Sequence, residues 1–278
     1  MPRMRVNDIE LFVEESGHGE PLLFVHGYTG SHDSWDGVVE RLRDRYRCIV
    51  MDLRGAGDSE HPPGGYSIEQ YAADVVGVAD ALGLDRFSYV GHSMGGLIGM
   101  WLGLEHAHRL SRLVLVAPGM ADGSTVPASL HEEAIRKRRA GAREEMLRER
   151  IAQNARSERV DETEEARRVD RELSVSEGHF EDSFQTMRGL RVRDRLGEIR
   201  TPTLVVSGGA DWLLPANLQD VQLLPNASLH VLSRVGHRVP TEVPSALSRV
   251  LADFMEHGVV NASTIQRRVE EVRAAAAR

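Results

Sequence analysis

The residues with the most chemistry to offer are a serine set between glycines and twelve histidines. The serine is Ser93, in Gly91-His92-Ser93-Met94-Gly95. A β-branched and aromatic run, residues 86–90, precedes it, and a small, apolar stretch, residues 96–104, follows. This pattern predicts strand, sharp turn, helix. A serine in such a turn projects its hydroxyl above the sheet, and a Cβ two residues to either side would collide with neighbouring backbone. Ser93 is therefore the expected nucleophile.

A serine hydroxyl is a poor nucleophile at neutral pH, so it needs a histidine to take its proton and a carboxylate to orient that histidine. His106 and His108 close the helix after Ser93, and His230 sits within a strand-like run. His18, His61, His131, His179 and His257 fall in polar, loop-like or charged stretches. His237 follows a strand directly, after Val235-Gly236, where a loop residue at the carboxyl edge of a sheet can reach a central serine. For the carboxylate, residues 203–207 read as a buried strand and Gly208-Gly209-Ala210-Asp211 as the loop leaving it. Asp211 then shares an edge with Ser93 and His237. Asp194 and Asp220 fall in helical stretches and are expected on solvated faces.

The order Ser93, Asp211, His237, each just beyond a strand, resembles the α/β-hydrolase fold family. The resemblance runs through nearly the whole chain. Phe24-Val25-His26-Gly27-Tyr28-Thr29-Gly30 is similar to the family's His-Gly oxyanion loop, and Asp52 to Ser59 to its D-x-R-G-x-G-x-S loop. Residues 209–215, and Gly236-His237 followed by Glu242-Val243-Pro244, match its patterns around acid and base. The resemblance implies that the N–H groups of Tyr28 and Met94 form the oxyanion hole, with both side chains free to line a pocket. His26 and Gly27 are expected to shape the loop, and the Asp52 to Ser59 loop to be structural. The implied activity is hydrolysis of an ester or lactone of a small molecule through an acyl-enzyme. The meta-cleavage-product hydrolases, which cleave a carbon–carbon bond, share this order of residues, and a hand alignment sets Arg168 at their cap arginine. The chain reads Gly236-His237-Arg238-Val239-Pro240-Thr241, without the tryptophan they carry after the histidine. A non-catalytic ligand sensor on the same fold is the remaining alternative.

Residues 1–118 and 201–258 are expected to form the core, a mostly parallel sheet covered by helices. Strands are predicted at 11–15, 22–25, 48–51, 87–90 and 113–116, and a helix over 67–82. Residues 119–200 contain no convincing strand and read as an inserted helical cap. Glu132/Arg136, Glu133/Lys137, Glu144/Arg148 and Glu164/Arg168 lie at i, i+4 spacing, so the cap's charges are taken as solvated faces. Ile135, Ala142, Met146 and Ile151 are expected to pack on the core. A later stripe, Phe180, Phe184, Met187 and Leu190, is expected beside the active site. Phe180, Phe184 and Met187, with Trp35 and Trp212, are the substrate-binding candidates. A tail, residues 259–278, carries an amphipathic helix with Ile265, Val269 and Val272. Cap and tail are where a homo-oligomer would form.

A net charge of −8 and the lack of a basic stripe with interleaved aromatics argue against nucleic acid. No phosphate loop or metal-ligand cluster stands out, so neither cofactor nor metal is expected. The single cysteine, Cys48, lies in a strand-like run and reads as a buried small hydrophobe. No apolar signal segment or membrane-length stretch is visible, which makes a cytoplasmic location the default expectation.

Overall fold

A computed structural model describes residues 3–154 and 161–276. Residues 1–2 and 277–278, at the outer ends of the expected core and tail, lie outside the described residues, as do 155–160 of the expected cap. The described residues form one sheet from β1 (Arg3–Val6), β2 (Ile9–Ser16), β3 (Glu20–Val25), β4 (Tyr46–Met51), β5 (Phe87–His92), β6 (Leu110–Val116), β7 (Thr203–Gly208) and β8 (Ala227–Leu232). Its spatial order is β1-β2-β4-β3-β5-β6-β7-β8. β1 and β2 pair antiparallel, β2 runs antiparallel to β4, and the rest are parallel. The stretches 113–116 of β6 and 204–206 of β7 are apolar without alternation because both sheet faces are covered there.

One face is covered by α1 (Asp36–Leu42) and α10 (Pro244–His257) over Leu22, Phe24, Val90 and Val206. The other is covered by α2 (Ile68–Ala81) and α3 (Met94–Glu105) over Leu23, Val25, Ile49 and Tyr89. Ser67 caps α2 by accepting from the Gln70 N–H. β3 lies between β4 and β5, so the chain leaves β3 toward one side of the sheet and returns on the other. The loops after β3 and β5 therefore part at the carboxyl edge and open a crevice.

Between β6 and β7 run α4 (Ala128–Arg139), α5 (Arg143–Ala152), α6 (Glu162–Ser174) and α7 (Glu177–Gly189). Among the described residues the insertion is built of helices. Leu190, Val192 and Leu196 are already buried in the main core, so the chain rejoins it well before residue 200. α8 (Leu214–Val221) and α9 (Val239–Glu242) follow β7 and β8. In the tail, α11 (Ala262–Ala276) is tethered where Ser228 donates to the Val260 carbonyl and Asn261 to that of Ala227. Ile265, Val269 and Val272 stay exposed on it. Among the described residues, no helix is long and apolar enough to cross a membrane.

Candidate active site

Ser93 stands between β5 and α3 at φ 54°, ψ −111°, a backbone region that favours glycine. The turn is held because there is no room for it to open. A Cβ on Gly91 would sit 2.2 Å from the Gly95 carbonyl oxygen, and one on Gly95 would sit 2.6 Å from that of Val25. The Ser93 N–H donates to Val116 of the neighbouring strand at 3.0 Å.

The loops after β7 and β8 bring the other two residues. Gly209 and Ala210 donate backbone bonds to Leu232 and Val235, which locks the two loops together. Asp211 is buried; one carboxylate oxygen accepts from the Leu213 N–H at 3.0 Å and the other from His237 Nδ1 at 2.9 Å. Because Nδ1 carries the proton, Nε2 presents its lone pair, and it lies 2.9 Å from Ser93 Oγ. The three residues picked from sequence thus form one hydrogen-bonded chain. Asp220, expected on a solvated face, is instead buried and accepts from the Ala121 N–H.

His92, next to the serine, donates from Nε2 to the His237 carbonyl at 2.9 Å, its ring centroid 5.0 Å from that of His237. Burial, then His237, pushes its imidazole down to about 3, so it is a neutral strut. Sequence reasoning missed it; its adjacency to Ser93 was the available signal.

Tyr28 lies in the loop after β3, and Met94 is the first residue of α3. Neither backbone N–H has an acceptor among the described residues, and at a helix start such a donor stays free for a ligand. A Cβ on Gly27 would sit 3.0 Å from both Ser93 Cβ and His92 Nδ1, so any larger residue would press the loop against the serine. His26 shapes the loop as expected, accepting from the Leu53 N–H through Nε2 and donating from Nδ1 to the Gly27 carbonyl. Only one of the two side chains faces outward. Tyr28 lines the cavity and donates to the Phe180 carbonyl, whereas Met94 is buried in the core.

The Asp52 to Ser59 loop is tied down throughout. Asp52 accepts from the N–H groups of His32 and Asp58, and Ser59 bridges the Asp52 carbonyl and the Phe12 N–H. Arg54 makes a buried two-point pair with Asp74. Asp58 reaches out of the loop and pairs through both oxygens with Arg171 of α6, at 3.0 and 3.1 Å.

A cavity of about 630 Å³ opens over Ser93 and His237. Of the five expected lining side chains, Trp212 is in its wall. Trp35 is not; it is fully buried against Phe24, inside the core under the loop. Phe180, Phe184 and Met187 are not either. Phe184 stacks on His131 at 3.5 Å, Met187 packs on the main core, and Phe180 borders a second cavity of about 340 Å³ within the insertion. Their apolar faces are consumed in packing, Phe184 within the insertion and Phe180 and Met187 between the insertion and the core. His179, set aside from sequence as lying in a polar, loop-like or charged stretch, is buried on α7 and hydrogen-bonded to Tyr71 and the Arg54 carbonyl.

Residues 20–241 match the family model described as the alpha/beta hydrolase fold. The chain belongs to the α/β-hydrolase family. Among curated proteins it is similar to a putative carbamate hydrolase of Azorhizobium caulinodans, 29% identical over 271 residues that span 91% of this chain and 98% of the relative. It is also similar to the 2-hydroxy-6-oxo-2,4-heptadienoate hydrolase of Pseudomonas putida, 29% identical over 268 residues, 89% and 93% of the two chains. A solved structure described as an N-acyl homoserine lactone degrading enzyme superposes with a TM-score of 0.80 at 30% identity, covering 91% of this chain and 100% of the other. The names of these three give three different substrates, a carbamate, a 2-hydroxy-6-oxodienoate and an N-acyl homoserine lactone.

In this α/β-hydrolase the chemistry of the cavity wall comes largely from charged residues that the sequence reading took for solvated faces. Arg150, Arg168 and Arg171 of the insertion and Arg238 beside the histidine all line it. Arg150 pairs with Glu165 at 2.6 Å and Glu172 at 3.4 Å, and Arg168 shares Glu165 at 2.6 Å. Burial, against the pull of Arg150, raises the Glu172 carboxyl above the usual range. Of the expected i, i+4 pairs, Glu133–Lys137 is present at 3.0 Å and Glu164–Arg168 only at 4.0 Å. Helical spacing records which residues share a face and says nothing about what that face meets.

Proposed function

We propose that this protein is a serine hydrolase that cleaves the ester-type bond of a small-molecule ester or lactone through an acyl-enzyme. One observation carries the reading: the unbroken chain Asp211–His237–Ser93 at the floor of a cavity. His237 Nε2 takes the Ser93 proton as Oγ attacks the carbonyl carbon, and Asp211 steadies the imidazolium. The free N–H groups of Tyr28 and Met94 meet the oxyanion, in place before charge develops and so without reorganisation. On collapse, His237 returns the proton to the departing alkoxide. Water then attacks the acyl group with His237 again as base, releasing acid and free Ser93. No metal or cofactor is needed for these steps.

The test is turnover of a p-nitrophenyl ester series and of small lactones by wild type and Ser93→Ala, with mass-spectrometric mapping of an organophosphonate adduct. Multiple turnovers lost in Ser93→Ala, and a single adduct at Ser93, are expected. A Ser93→Ala protein that keeps most of its activity sinks the reading.

A second reading has one observation in its favour. Arg168 lies in the cavity wall, where a carbon–carbon hydrolase of the meta-cleavage type would need a cation for its acidic substrate, and the Pseudomonas putida relative bears such a substrate's name. Turnover of a vinylogous diketone acid in place of esters would favour it.

A further inference from the structure

Several arginines of this fold are held by carboxylates. Arg54 has Asp74, Arg143 has Asp170, Arg171 has Asp58 and Arg195 has Glu198. Arg238 differs from these. It follows His237 directly, lines the same cavity, and has no carboxylate partner among the described residues. Its Nη1 donates to Gln153 Oε1 at 3.2 Å and its Nη2 to the Arg150 carbonyl at 2.7 Å, both neutral acceptors. A guanidinium has five N–H donors, so three remain, and the Nε–H is among them, buried without a partner. Arg168, in the same wall, also has an unpartnered buried Nε.

The wall is balanced in number and unbalanced in position. Its carboxylates are Asp33, Glu172, Asp211 and Glu242, set against Arg150, Arg168, Arg171 and Arg238. Asp211 serves His237, Glu242 accepts from the Gly236 N–H, Asp33 from Ser31, and Glu172 from Arg150. None of them makes a direct ion pair with Arg238; Glu165 and Glu242 act on it only through space, and Arg150 opposes them as a like charge. Burial, and after it that like charge, holds the guanidinium of Arg238 below its usual range. A half-buried cation without a direct ion pair leaves donors that an anionic ligand can take up.

We propose that Arg238 is the substrate-recognition residue for a carboxylate, so that the molecule cleaved at Ser93 is a half-ester or lactone acid that bears a second, anionic end. The planar fork of a guanidinium matches a carboxylate edge-on. The adjacency of residues 237 and 238 places that anion one residue from the base. This inference rests on the hydrolase reading for the identity of its ligand, and its test needs no turnover.

Calorimetric titration of the Ser93→Ala protein with monomethyl adipate and with dimethyl adipate separates charge from shape. Binding of the monoacid at least ten-fold tighter than that of the diester is expected, with the preference lost in Ser93→Ala/Arg238→Gln and partly kept in Ser93→Ala/Arg238→Lys. Equal affinity for the two ligands overturns the proposal, as does a preference that survives Arg238→Gln. If the glutamine variant does not fold, the lysine variant decides: a preference undiminished there makes the arginine fork irrelevant. Tight monoacid binding by a wild-type protein that hydrolyses no ester would remove the hydrolase reading alone, whereas brisk hydrolysis of neutral esters with no monoacid preference would remove this one alone.

Discussion

Ser93 occupies a backbone conformation that glycine adopts freely and serine does not, at φ 54° and ψ −111°. Such a conformation costs on the order of 1–3 kcal/mol and persists because the surroundings over-determine it. Here those surroundings are the close approaches at Gly91 and Gly95 and the Ser93 N–H bond to Val116. Two substitutions separate the strain from the chemistry. Ser93→Ala and Ser93→Gly both delete the hydroxyl and its contact with His237, so that loss cancels between them. Alanine keeps the strain; glycine relieves it, at a conformational-entropy cost of roughly 0.5–1 kcal/mol. The glycine variant should therefore be more stable than the alanine variant by about 1 kcal/mol, within a range of about 0 to 2.5 kcal/mol. Equilibrium urea unfolding reads the difference directly. In thermal melts it corresponds to roughly 2–4 °C for a chain somewhat under this size. Neither variant should turn over substrate. If alanine proved the more stable, the turn would store no strain, and its geometry would have to be held by something other than crowding.

Ser93→Ala and His237→Ala should each abolish ester hydrolysis, and the double variant should be little worse, because groups acting as one unit do not add; additive losses in kcat would assign them to separate sites. Trp35→Ala should cost about 3–5 kcal/mol of stability, as expected for emptying a fully buried aromatic position, and leave the ranking of ester substrates unchanged. Trp212→Ala should do the reverse: the side chain is 58% exposed in the cavity wall, so urea midpoints should hardly move while the substrate ranking shifts. Acid should destabilise the fold early. Burial, followed by a neighbouring histidine, pushes both His92 and His179 down to about 3. The unfolded imidazoles bind protons near pH 6.5 while the folded ones do not, so stability is full above that value and declines as pH falls from 6.5 toward 3. Each contributes up to about 1.4 kcal/mol per pH unit. Together they predict a loss of about 2.5 kcal/mol between pH 7 and 5.5, and His179→Gln should remove half of that slope. A pH-independent urea midpoint over this range would contradict the buried, neutral assignment.

The fold and the hydrogen-bonded chain of residues were legible in the sequence for a physical reason: both are written in local patterns. A short β-branched run such as 203–207 bounded by Pro202 and Gly208 reads as a buried strand, and glycines flanking a serine at two residues' distance report a turn with no room for Cβ. Three residues that each follow a parallel strand must share the carboxyl edge, so Ser93, Asp211 and His237 could be chosen before any distance was known. The free N–H groups at Tyr28 and Met94 followed from family resemblance, since a backbone donor leaves no mark in side-chain identity. The pocket was not legible. Trp35, Phe180, Phe184 and Met187 have the character of substrate contacts, yet their apolar area is spent on packing within the insertion and on joining the loop and the insertion to the core. Arg150, Arg171 and Arg238 look like solvated charges and instead face the cavity. Which face a helix turns toward a site depends on how the insertion docks, and that is set by contacts between residues far apart in the chain, such as Arg171 with Asp58 and Arg238 with the Arg150 carbonyl. Periodicity within an element fixes the face, and only the tertiary contact decides what that face meets.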